Sequence, residues 1–168
     1  MNLENIFLLS FGTDLMGDKK SPPIEFNIIY MSKNISISRF INKKNNDFKT
    51  SAEFNKKELT INESIVFLNK FCEKTNTSFF YSSNYIQDFQ LLKNLKDNSL
   101  TIPNFSIKDF YIGINSLQKT LWKHLYEINT IKYSKIQNSA EERNKNSKLV
   151  FNKILEIKNI NSNKESLL

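Results

Sequence analysis

The 168 residues, 39% hydrophobic and 12% aromatic with fourteen Phe, suit one domain with a sizeable core. No run approaches the roughly eighteen apolar residues of a membrane-crossing helix, and no basic, apolar and small-residue leader opens the chain, so neither a membrane nor a secreted protein is expected. The net charge of +7 permits a nucleic-acid partner, but Arg39 and Arg143 are the only arginines, and the abundant Lys comes with abundant Asn and Ile, as an AT-rich coding sequence would give.

In chain order, residues 6–11 form an apolar run that reads as a buried strand. Residues 12–23 carry Gly17, Asp18 and the Pro22-Pro23 pair and read as a loop. Residues 24–31 and 35–41 alternate as strands do, with a turn at 32–34, and complete a three-strand meander. Residues 42–57 are rich in Lys and Asn and read as a loop. Thr60 then opens a helix, with Glu63 at capping-box spacing. Ile61, Ile65, Leu68 and Cys72 share one face of that helix, widened by Phe71. The single cysteine has no internal disulfide partner, which favours a reducing cytoplasm and a small buried side chain.

Residues 79–81 read as a short strand. Residues 85–96 read as a helix with Ile86, Phe89 and Leu92 inward. Residues 94–103 form a connection, and 105–111 hold a short strand or turn. Residues 114–128 read as a helix carrying Leu117, Leu121, Trp122 and Leu125, with the only histidine, His124, in its middle. A last helix spans 139–157, opened by Ser139 with Glu142 at capping-box spacing. Residues 158–168 read as a frayed tail, leaving 1–157 as a single domain. A meander followed by helices alternating with strands gives an α/β layered domain, a mixed sheet with helices on both faces.

Three segments carry chemical interest. Leu9-Ser10-Phe11-Gly12-Thr13 ends the first strand, Ser83-Asn84-Tyr85-Ile86-Gln87-Asp88 leads from strand to helix, and Asn138-Ser139-Ala140-Glu141-Glu142-Arg143 opens the last helix. Together, and in this order, they resemble the DEDD-type 3′–5′ exonucleases, the family of the proofreading epsilon subunit of the bacterial replicative DNA polymerase. The resemblance implies a ribonuclease H-like three-layer fold. The family's first-strand Asp and Glu fall on Ser10 and Gly12, and Thr13 matches. In the second segment Asn84 and Asp88 match, while Ser83 replaces a His and Gln87 a Phe. In the third, Ala140 matches, Asn138 falls on the general-base His and Arg143 on a metal-binding Asp.

Family chemistry uses two Mg²⁺ or Mn²⁺ ions, which call for several anionic oxygen ligands. The matched positions supply one carboxylate, Asp88, and one fixed cation, Arg143. The resemblance therefore implies an exonuclease-like domain without catalysis and without a metal cofactor, in which Arg143 pairs with Asp88. Its expected partners are single-stranded DNA or RNA and a replicative polymerase subunit, the latter through the tail. Asn84, Tyr85, Lys43 and Lys44 are the nucleic-acid-binding candidates; Lys49, Lys56 and Lys57 extend the basic cluster, and Phe11 and Phe89 are stacking candidates whose plainer role is in the core. The alternative is an active metal-dependent 3′–5′ exonuclease with Asp88 as a metal ligand and displaced carboxylates drawn from Asp14, Asp18, Glu141 and Glu142.

Overall fold

The computed structural model describes residues 6–13, 22–31, 33–42, 58–110, 139–149 and 152. Strands β1 (Phe7–Gly12), β2 (Glu25–Tyr30) and β3 (Ile35–Asn42) form the expected meander. A short β4 (Glu58–Thr60) precedes helix α1 (Ile61–Thr75). Then come β5 (Phe79–Ser82), α2 (Tyr85–Asp97) and β6 (Ser106–Asp109). Residues 140–149 are helical and are labelled α3. The helix expected at 114–128, the lysine cluster at 43–57, Asp14, Asp18, Asn138 and the tail lie outside the described residues.

The six strands make one mixed sheet in the order β4-β3-β2-β1-β5-β6. The β1–β2 and β2–β3 pairs are antiparallel; β3–β4, β1–β5 and β5–β6 are parallel. β1 is thus interior and buried along its whole length, which explains why it reads as a continuous apolar run. β4 falls between the loop expected at 42–57 and the helix expected from Thr60, where no strand was expected; its three residues pair with Phe40, Ile41 and Asn42 at the sheet edge.

Side-chain alternation divides the core between the two faces of the sheet. Phe7, Leu9 and Phe11 from β1 join Phe26, Ile28 and Phe80 against Ile61, Ile65, Leu68 and Cys72 of α1 and Leu91, Leu92 and Leu95 of α2. Edge-to-face ring pairs such as Phe7–Phe71 and Phe80–Phe105 fill this layer. The opposite face, with Leu8, Ser10 and Asn27, meets α3 through Asn144. Helices therefore cover both faces of the sheet, as a three-layer α/β architecture requires.

The α1 start forms as its sequence dictates. The Thr60 hydroxyl accepts from the Glu63 N–H at 3.2 Å, and the Glu63 carboxylate accepts from the Thr60 N–H at 2.7 Å. At the other end Asn76 takes a left-handed φ of 49° and closes the helix. For α2 the inward face differs from expectation. Ile86 is 83% exposed and Phe89 50%, while Asp88, Leu91, Leu92, Asn94 and Leu95 are buried. Among the described residues no helix is long and apolar enough to cross a membrane.

Candidate functional site

The carboxyl ends of β1 and β5 bring the matched positions together. Asp88, in the first turn of α2, is fully buried. Its Oδ1 accepts from the Phe11 N–H at 2.9 Å and its Oδ2 from the Ser82 hydroxyl at 2.6 Å. The Ser82 oxygen in turn accepts from the Asn84 N–H at 3.0 Å, tying the turn after β5 to the same carboxylate. Arg143, from α3, places Nη2 3.5 Å from Asp88 Oδ1, in ion-pair range, and donates Nη1 to Gln87 Oε1 at 3.0 Å.

Burial pushes the Asp88 carboxyl above the usual carboxylate range. The Arg143 guanidinium, the Phe11 N–H and the Ser82 and Ser10 hydroxyls pull the other way without cancelling that cost. Asp88 therefore holds its proton to a higher pH than an exposed carboxyl would, even with the guanidinium beside it.

Ser10, the position of the family's first acid, is fully buried and donates to Asn144 Oδ1 at 2.9 Å. Asn144 is the hub of a buried polar network that sequence reasoning missed. Its Nδ2 donates to Asn27 Oδ1 at 2.8 Å and to the Asn27 carbonyl at 2.7 Å. Asn27 in turn donates to the Ser36 and Ser38 hydroxyls at 2.9 Å. These groups fix α3 to the sheet and satisfy one another. The signal available in the sequence was a polar residue inside an apolar strand, Asn27 between Phe26 and Ile28.

Gly12, the position of the second acid, faces Glu25 across the β1–β2 ladder. A Cβ at Gly12 would stand 2.3 Å from Glu25 Cγ, so the Glu25 side chain fills the space a side chain here would need. The Glu25 carboxylate accepts from the Ala140 N–H and so caps the start of α3, a favourable place for negative charge. Glu25 is the second residue that sequence reasoning missed; it reaches the site only through its register opposite Gly12.

The remaining candidates divide. The Asn84 amide bonds Gln87 Oε1. Tyr85 packs partly buried on the core, with its ring 5.6 Å from that of Phe89. Phe11 is fully buried and unavailable for base stacking. Glu141 accepts from the Ser38 hydroxyl at 2.9 Å and pairs with Lys145 at 2.7 Å, and Glu142 pairs with the same lysine at 3.4 Å. At the start of α3 the Ser139 hydroxyl accepts from the Glu142 N–H at 3.4 Å, one half of the expected capping box. Lys43, Lys44 and Asn138 lie outside the described residues.

As donors these residues do not fit a magnesium or manganese pair: glycine offers no side chain, the Ser10 proton goes to Asn144, and Arg143 brings a cation to the remaining carboxylate. Among the described residues no three His, Cys, Asp or Glu gather as a metal-ligating group. No protein-family model matches the chain, and searches of curated proteins and of solved structures return no significant match.

Proposed function

We propose that this chain is a catalytically silent, exonuclease-like domain of ribonuclease H-like fold that binds single-stranded nucleic acid as a replication-associated module, held by a polymerase subunit. The observation that carries the reading is the Arg143 guanidinium 3.5 Å from Asp88. The two residues come from positions 55 apart in the sequence, on different helices. The resemblance sets them at two metal-binding positions of the proofreading exonucleases, and they meet at the end of β1 beside Ser10, set at a third. The meander-first strand order with β1 interior supports the same fold assignment.

Silence follows from charge. A divalent ion brought to Asp88 would meet a resident cation and a carboxyl that burial already drives toward its neutral form. Of the acids the alternative, an active exonuclease with displaced carboxylates, would draw on, Glu141 and Glu142 pair with Lys145, and a further acid near the site is Glu25, whose carboxylate fills the place over Gly12. Its bond to the Ala140 N–H commits that carboxylate to α3.

Incubation with an end-labelled oligonucleotide and Mn²⁺ tests both halves. The expected outcome is an intact oligonucleotide, bound in a complex that weakens as salt rises. Metal-dependent digestion from the 3′ end, abolished by Asp88→Asn, would establish the enzyme instead. Failure to bind at low salt would remove the nucleic-acid role.

A further inference from the structure

Around Asp88 the structure is closed to a base: Phe11 is fully buried, and the Asn84 amide and the Arg143 guanidinium both bond Gln87. The outer side of α2 is open. Phe89 stands 50% exposed there, with the Tyr85 ring one turn before it and the two ring centroids 5.6 Å apart. Tyr85 is itself packed against the core, which fixes the platform in place. Ile86, 83% exposed, borders the pair, so three apolar side chains meet water together at the start of this helix. A contiguous apolar patch of this kind marks a binding surface more often than a lone exposed residue does.

The same strip turns basic further along. Tyr85, Phe89, Lys93 and Lys96 follow one another at intervals of four, four and three residues, the spacing that sets side chains in a row along a helix. At about 1.5 Å of rise per residue the row is about 16 Å long. Lys93 and Lys96 are exposed, and neither has an ion-pair partner among the described residues. Asp97 is the one exposed acid of α2 and lies to the side of the row. A protein partner would call for an apolar centre inside a polar rim. Here rings and cations succeed each other in a line, which suits a chain of bases and phosphates.

We propose that the Tyr85–Phe89–Lys93–Lys96 row of α2 is a track for a single strand of nucleic acid, with a base stacked on Phe89 and backbone phosphates on the two ammonium groups. The inference rests on the nucleic-acid reading above and moves its contact from the closed end of β1 to the outer face of α2. Neither a metal ion nor the Asp88 carboxylate takes part.

The test titrates the full chain in EDTA, over a range of salt, against a labelled thymidine oligonucleotide and a strand of equal length built from abasic spacers, which keeps the phosphates and lacks the bases. The parent is expected to bind the thymidine strand about fivefold or more tightly than the abasic one. Phe89→Ala should bring the two strands level, and Phe89→Tyr should restore the difference. Replacing Lys93 and Lys96 together by Gln should lower the slope of log affinity against log salt by about 1.4 for both strands. All these positions face water or half face it, and near-UV circular dichroism matching the parent shows that each variant folds. Equal binding of the two strands by the parent, or a salt slope untouched in the lysine variant, overturns the track and leaves the nucleic-acid reading standing. No binding of either strand at low salt overturns both. A dimer in sedimentation that Phe89→Ala dissociates, with no strand bound, also overturns both and gives the face to a second copy of the chain.

Discussion

At the scale of the residue, Asp88 and Arg143 depend on each other. A buried pair is weak support for stability, but removing one partner leaves an uncompensated charge. Arg143→Met should therefore cost about 3–5 kcal/mol near neutral pH. The pH dependence has a definite sign. Burial raises the Asp88 carboxyl above its unfolded value, so the native state holds this proton more tightly than the unfolded chain does. The associated stability is fully present below the ordinary carboxylate range and is lost as pH rises through the raised native value. Without Arg143 that value rises further, so the gap between variant and parent should shrink as pH falls from about 8 to about 4. Urea unfolding at several pH values measures this, and a gap independent of pH would contradict it. The pairing was legible in the sequence because Asp88 and Arg143 each fell at a recognisable position. Glu25 and Asn144 were not legible: one acts through cross-strand register and the other through a helix docking on the far face, and neither relation leaves a local pattern.

At the scale of the element, α2 shows where hydrophobic periodicity misleads. Its apolar residues Ile86 and Phe89 face outward while Asp88 faces inward. The helix is turned by Leu91, Leu92 and Leu95 below and by the donors that Phe11 and Ser82 offer to Asp88 above. A pattern of apolar residues has no means of weighting a carboxylate with waiting donors. Ile86→Lys should accordingly change stability by about 0.5 kcal/mol or less, while Leu95→Ala should cost about 2–5 kcal/mol. Denaturant midpoints of the two variants check the assignment; a large loss for Ile86→Lys would restore the other face. The meander and the α1 start were readable because alternation and capping are local. β4 was hidden because three residues carry no period and take strand form only by pairing with the end of β3.

At the scale of the whole molecule, Asn144 joins segments far apart in the chain, reaching Leu8, Ser10 and Asn27 from α3. Asn144→Ala would strand the buried Ser10 hydroxyl and the Asn27 carbonyl, at about 1–3 kcal/mol for each unmet group. Loss of amide-exchange protection should begin in the 140–149 helix and spare α1, whose packing lies on the opposite face of the sheet. Uniform loss across both helices would show the layers to be one cooperative unit. The same layering gives the inner face of α1 a further use. Cys72 is 3% exposed there, and burial, with Glu73 adding to it, pushes its thiol up to about 12. The closed molecule thus presents almost no thiolate to an alkylating reagent, whereas an opened one presents an ordinary cysteine. With one sulfhydryl in the chain, the labelling rate becomes a clock for the lifting of that helix from the sheet, legible without any introduced probe.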